Sequence, residues 1–358
     1  MKHTLRKFLI IGFVVGCLLP LACQNRDFPI QDLEPIDSYT VNPRSGFDSN
    51  SILTKNVGHF SMHKPGELHY TNGEQDILIQ KDWYYNLVLR GNHLYARKDY
   101  DIHTPSDLVA IDLLTGKEKV VKAGISRYCF LDDGSLFYQL SEEETYYVTD
   151  ANLKNDKLIQ KVDCIDWWEC YPYGNYVLLC DLNNSTIWLY DHGDSSFTKV
   201  WETEDLYQCL VGDSFVYILQ ANPDGEHTDV YEFRIDCEKG HWYKFVDSYR
   251  HSDRLGPGLP YEYARNCLVM KADEAEKLLQ KVGSKEVSIT ATRLLELTSE
   301  YALVNINGTS GGLYTQFEDY LVVAHDEFVD RGFLANLLGL DNRRFSHEII
   351  YLGDDAVH

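Results

Sequence analysis

Between Trp83 and Arg250 short apolar runs alternate with polar turn residues, and the whole alternation recurs about every 40 residues. Runs rich in Val, Ile, Leu, Tyr and Phe, bounded by Gly, Asp, Asn and Ser, have the pattern of β-strands. The first copy predicts strands at 84–89, 93–96, 108–112 and 119–121, and the second at 128–131, 135–138, 146–150 and 157–159. A third copy falls at 168–171, 176–179, 187–191 and 198–200, and a fourth at 207–210, 215–218, 230–233 and 242–245. An aspartate closes the third strand region each time, at Asp112, Asp150, Asp191 and Asp236, giving intervals of 38, 41 and 45 residues. A plain β-sandwich would explain the density of strands but not the recurring aspartate.

Four antiparallel strands repeated at this period are how the blade of a β-propeller reads in sequence. The expectation is therefore an all-β fold, a β-propeller of six to seven four-stranded blades with short helical insertions, filling residues 51–358. Glu67–Tyr70 and Ile77–Gln80 resemble outer strands, and Tyr320–Ala324 with Glu348–Tyr351 offer to complete their blade, so that the two ends of the domain pair and close the ring. Between Lys271 and Gly283 the period changes. Ala275, Leu278, Leu279 and Val282 share one helical face, and Gly283 suits a helix stop. A second short helix is expected at 330–339, from Phe333, Leu334, Leu337 and Leu338.

The N-terminus carries an address. Lys2, Arg6 and Lys7 precede an apolar run from Phe8 to Leu21, too short to span a bilayer at about 20 residues, so 1–22 reads as an export segment. It resembles a bacterial lipoprotein signal, in which a small residue precedes the cysteine that is lipidated; Ala22 and Cys23 fit, whereas Pro20 and Leu21 depart from the usual pattern. Lipidation at Cys23 and anchoring outside the cytoplasm follow from that resemblance, with plain secretion as the alternative. Residues 23–50, polar and containing prolines, would then serve as a tether.

Charge narrows the partners. The chain carries a formal −22, which becomes −25 without Lys2, Arg6 and Lys7. Such an acidic surface repels nucleic acid and anionic lipid, so contact with membrane is expected only through the lipid. Beyond Cys17 and Cys23 the cysteines are Cys129, Cys164, Cys170, Cys180, Cys209, Cys237 and Cys267, an odd number with no Cys-x-x-Cys. Cys129, Cys170 and Cys209 occupy similar places in successive repeats and read as small core fillers, with a Cys164–Cys170 bridge as the other option.

Trp188-Leu189-Tyr190-Asp191, and more loosely Val109-Ala110-Ile111-Asp112, carry a resemblance to extracytoplasmic β-propeller lipoproteins of Gram-positive bacteria, particularly clostridial proteins of unknown function. It covers residues 84–250 and implies a fold and an address, with no catalytic residue to carry over. Motifs for zinc proteases, serine hydrolases, phosphate loops and dinucleotides are absent, and no cofactor or metal is expected. Asn222-Pro223-Asp224-Gly225 reads as a hairpin turn. The candidate site comes from aligning the repeats. Asp82-Trp83-Tyr84, Asp166-Trp167-Trp168 and Asp205-Leu206-Tyr207 each place a carboxylate and aromatics where one blade leads into the next. Asp82, Trp83, Tyr84, Asp166, Trp167, Trp168, Asp205 and Tyr207 are thus the expected ligand-binding residues, holding a carbohydrate or an envelope protein. The rival is a glycan-active enzyme using Asp82, Asp166 or Asp205 as acid and base. In the opposing structural reading the aspartates cap turns and the aromatics pack between blades.

Overall fold

The computed structural model describes residues 40–41, 51–53, 59–64, 66–71, 76–100, 104–141, 145–159, 168–181, 184–204, 206–211, 215–234, 242–250, 267–307, 313–317, 319–328 and 343–353. The export segment, Cys23, Asp166, Trp167, Asp205 and the second expected helix lie outside these residues. Among the described residues no helix is long and apolar enough to cross a membrane.

The chain forms one antiparallel sheet after another. The first contains β2 (Ser51–Leu53), β3 (His59–Lys64), β4 (Glu67–Thr71) and β5 (Asp76–Gln80). The second unit is β6 (Trp83–Arg90), β7 (His93–Asp99), β8 (Ser106–Asp112) and the first half of β9 (Glu118–Phe130). The second half of β9 opens a third unit with β10 (Leu136–Leu140), β11 (Thr145–Val148) and β12 (Lys157–Leu158), and β1 (Thr40–Val41) pairs with the free edge of β6. The fourth unit is β13 (Trp168–Tyr173), β14 (Tyr176–Asp181), β15 (Thr186–Asp191) and β16 (Ser196–Glu202). The fifth is β17 (Leu206–Val211), β18 (Val216–Ala221), β19 (His227–Arg234) and β20 (Trp242–Arg250). This is the four-strand repeat expected from the sequence, and the fold is a β-propeller.

Middle strands of the units are buried on both sides, because each sheet stacks face to face on its neighbours. Val177 to Asp181 and Val216 to Leu219 are all buried, whereas outer β16 is mostly exposed. The apolar clusters accordingly lie between successive units. One of them joins Phe137 and Tyr146 of the third unit to Tyr190 of the fourth, with ring centroids 5.6 Å and 5.1 Å from Phe137. Aromatic pairs of this kind are worth about 0.5–1.5 kcal/mol beyond their buried area. The repeating aspartates serve the turns after the third strands. Asp112 accepts from the amides of Leu114 and Thr115 at 2.8 and 3.1 Å, Asp150 from those of Asn152 and Lys154 at 3.0 and 3.1 Å, and Asp191 from that of Gly193 at 2.8 Å. Asp236 lies outside the described residues. β9 runs through from one unit to the next because Gly124 takes φ +68°, which side chains rarely tolerate, while its amide is held by Asp107 at 3.0 Å.

The last two sheets depart from the repeat. β21 (Cys267–Lys271) leads into helix α1 (Ala272–Ser284), which crosses to β22 (Thr290–Glu296); β23 (Tyr301–Asn307) then returns between β21 and β22. The helix buries Ala275 and Leu278 in a cluster with Met270 and Val304 of its own sheet and with Leu321 and Val323 of the next. Its stop is Lys285 in the left-handed conformation, with the amide on Lys281 and Val282 carbonyls, and Gly283 remains inside the helix. The final sheet is β24 (Leu313–Phe317), β25 (Tyr320–Phe328) and β26 (Arg343–Tyr351).

Two expectations are corrected here. Glu67–Thr71 and Asp76–Gln80 obtain inner strands from 51–53 and 59–64, not from the C-terminus, and among the described residues no strand pairs the two ends. Closure is by side-chain packing: Val322 of β25 joins the cluster of Phe60, Leu68 and Tyr84, with Tyr320 and Ile349 against it. Cys209 is no simple filler, since it forms a disulfide with Cys180 of the preceding unit, with Cα atoms 6.6 Å apart. Sequence could not pair them, because connectivity is invisible in spacing.

Candidate functional site

Antiparallel meandering puts the turns after the second and fourth strands of a four-stranded unit at one rim, and the others at the opposite rim. Asp82 and Trp83, entering β6, therefore share a rim with Tyr100, which follows β7. Alternation along β6 then decides which side chains reach solvent. Trp83 is 42% exposed and Tyr100 44%, whereas Tyr84 is enclosed at 1%. The indole of Trp83 lies nearly parallel to the half-buried ring of Tyr85, 9° between planes and 6.4 Å between centroids. Arg97 stands over Tyr85 at 5.3 Å and pairs with Asp99 at 3.2 Å, and Ser106 donates to the same carboxylate at 2.5 Å.

A charged cluster occupies the opposite face of the same two strands. Lys98 Nζ is 3.0 Å from Asp82 Oδ2 and 2.9 Å from Glu118 Oε1, and it sits 5.6 and 5.5 Å from the ring centres of Tyr84 and Tyr100. The Tyr84 hydroxyl donates to Glu118 Oε2 at 2.5 Å. Burial, then the hydrogen bond and charge of Glu118, push the Tyr84 phenol far above its ordinary range, so it stays a donor. Burial pulls Lys98 down, but Glu118 and Asp82 outweigh it and hold the ammonium above its usual value. Tyr100 is pushed up to about 12 by burial and by its hydrogen bond to Asp107, 2.8 Å away. The arrangement offers a ligand exposed ring faces beside fixed hydrogen-bonding groups.

Of the expected residues, Asp82, Trp83 and Tyr84 are described, with the Trp83 ring exposed and the Tyr84 ring enclosed on the other face. Trp168 and Tyr207 are placed in β13 and β17 as backbone alone, and Asp166, Trp167 and Asp205 lie outside the described residues. Tyr85, Arg97, Lys98, Tyr100 and Glu118 were not foreseen. The available signal was the run Arg97-Lys98-Asp99-Tyr100 at a strand end, where charge replaces the apolar pattern.

A second polar cluster ties the segment after α1 to the last sheet. Ser288 Oγ and Glu348 Oε2 each lie 3.1 Å from His325 Nε2, and the Ser288 hydroxyl donates to Glu348. Burial pulls Glu348 up, but the Ser288 hydroxyl and amide and the His325 ring hold it below the usual carboxylate range. Serine and carboxylate share one ring nitrogen, whereas a nucleophilic triad needs them on opposite nitrogens. The buried His69 ring lies between the carboxylates of Asp76 at 2.7 Å and Glu67 at 3.2 Å, which are partly open to solvent. Among the described residues no three His, Cys, Asp or Glu are grouped so as to hold a metal ion.

No protein-family model matches the chain, and no curated protein sequence matches it. Among solved structures it is similar to an oligogalacturonate lyase in complex with manganese, at 12% identity and TM-score 0.46 over 79% of this chain and 75% of that one. It is also similar to YCF48 from Cyanidioschyzon merolae, at 10% identity and TM-score 0.40 over 58% and 74% of the two chains. A functionally unknown protein from Desulfotomaculum acetoxidans gives 14% and 0.40 over 63% and 79%. Likenesses this distant carry no activity, substrate or metal across.

Proposed function

We propose that this chain is an extracytoplasmic binding module: a propeller of seven blades, anchored by a lipid on Cys23 through the 23–50 tether, that holds a carbohydrate at the Trp83 rim. The observation that carries the reading is the exposed indole of Trp83 aligned with Tyr85, with Arg97 over Tyr85 and paired to Asp99 on the same face of the sheet. Sugar rings present flat C–H faces that stack on such rings, and hydroxyls that meet paired carboxylate and guanidinium groups. The module works by rigid display, with no covalent step. The resemblance carried by Trp188–Asp191 and the lipoprotein-like first 23 residues support the address.

The test is calorimetric titration of a panel of envelope and dietary oligosaccharides into the wild type and Trp83→Ala. Truncating a central aromatic anchor costs about 2 kcal/mol or more, roughly thirtyfold in affinity. Equal affinity of the two proteins for every sugar bound would remove the rim from the reading. Loss of radiolabelled fatty acid from Cys23→Ser, and its release from the membrane fraction, checks the address.

A second reading rests on the propeller sides. Val120, Leu158 and Phe245, on the outer strands β9, β12 and β20, are 45%, 59% and 52% exposed, and an envelope protein docking on a propeller side would cover such positions. Binding of the same partner by Val120→Lys and Leu158→Lys variants as by the wild type would count against it.

A further inference from the structure

The first strands of neighbouring units approach one another, and β9 and β13 do so through two cysteines. Cys129 Sγ and Cys170 Sγ are 2.9 Å apart across the interface between the third and fourth units, 41 residues apart in sequence. Both thiols are free; Cys129 is buried and Cys170 half-buried. The next interface already holds the Cys180–Cys209 disulfide. Closing the remaining gap to a bond of about 2.05 Å requires less than an ångström of movement.

We infer that Cys129 and Cys170 are a redox-modifiable pair that is oxidised by a low-molecular-weight disulfide to a second bond between neighbouring blades. Together with Cys180–Cys209 it would join the third, fourth and fifth units covalently, whereas the described contacts of the other interfaces are non-covalent. Access assigns the order of steps. The half-buried Cys170 thiolate attacks one sulfur of the incoming disulfide, forming a mixed disulfide and expelling the first small thiolate, which takes up a proton. Cys129 then loses its proton to solvent, and its sulfur displaces the second small thiolate from Cys170. Two protein thiols and one small disulfide thus become one protein disulfide and two small thiols, with no other oxidant. Burial, together with the neighbouring Cys170, pushes the Cys129 thiol well up, so its displacement step is the slower of the two, and it proceeds because the two sulfurs already touch.

The test uses the full chain, reduced while folded, desalted and exposed to oxidised glutathione. Remaining thiols are alkylated in denaturant before peptide mapping by mass spectrometry. The expected result is a linked pair of peptides containing Cys129 and Cys170, beside the Cys180–Cys209 pair, with Cys267 alkylated. Alkylation of both Cys129 and Cys170 in a sample where Cys180–Cys209 has re-formed overturns the proposal, as does linkage of Cys170 to Cys164. In Cys129→Ser, Cys170 should accumulate as the glutathione mixed disulfide, whereas the wild type should not retain it. Retention of glutathione on Cys170 in both proteins would show that Cys129 does not resolve the intermediate.

Discussion

Replacing Lys98 by Met asks whether charge holds the cluster around Tyr84. The ammonium bridges Asp82 and Glu118 at 3.0 and 2.9 Å, with its side chain 14% exposed against 33% and 22% for the carboxylates. Met keeps most of the apolar stem over Tyr84 and Tyr100, so packing survives and charge does not. Removing one partner of a fully buried pair costs about 3–5 kcal/mol, whereas a surface pair is worth about 0.2–1 kcal/mol. Water reaches both carboxylates here, and the expected loss is about 2 kcal/mol. At about 2.1 cal/mol/K of unfolding entropy per residue over roughly 300 residues, Tm falls by about 3 °C. The pH dependence has a definite sign. Because Lys98 is raised in the folded protein, its stabilisation is complete below the unfolded value of 10.5 and disappears as pH climbs through the folded one. The gap between wild type and Lys98→Met should therefore be level from about pH 7 to 10 and close above that. Scanning calorimetry of both proteins across this range is the assay. A Tm change within a degree at neutral pH, or a gap that persists at high alkaline pH, would refute the charge argument.

The Cys180–Cys209 bond closes a 29-residue separation, so Cys180→Ser with Cys209→Ser should cost about 3.6 kcal/mol by chain entropy, about 6 °C in Tm. An unchanged Tm in that double variant would count against the bond. Glu348 is held low in the folded protein by Ser288 and His325 against the pull of burial, so its stabilisation is present above the unfolded value of 4.5 and is lost as pH falls through the folded one. Glu348→Gln should lie roughly 1 kcal/mol below the wild type at neutral pH and converge with it in acid, measured by urea unfolding; a constant difference would mean the charge is irrelevant.

The repeat between Trp83 and Arg250 was legible because its middle strands are buried on two faces, which leaves unbroken runs such as Val177-Leu178-Leu179. Strand order beyond it was not. The return of β23 between β21 and β22 depends on α1 as a crossover, and an apolar run looks the same whichever neighbour it pairs with. The inner strand 51–53 is too short to show a period at all. Within the site, alternation fixed the roles of a residue pair chosen together. One step along β6 separates an indole in solvent from a phenol in the core, and Asp82-Trp83-Tyr84 does not by itself say which is which. The charged cluster needed register, since Lys98 is set opposite Tyr84 by the β6–β7 pairing and Glu118 arrives from the outer strand. The two-sided burial that makes blades readable also removes their middle strands from chemistry. Groups that meet a partner are left to strand ends and rims, where the apolar pattern breaks, and there the pairing of distant strands decides what stands beside what.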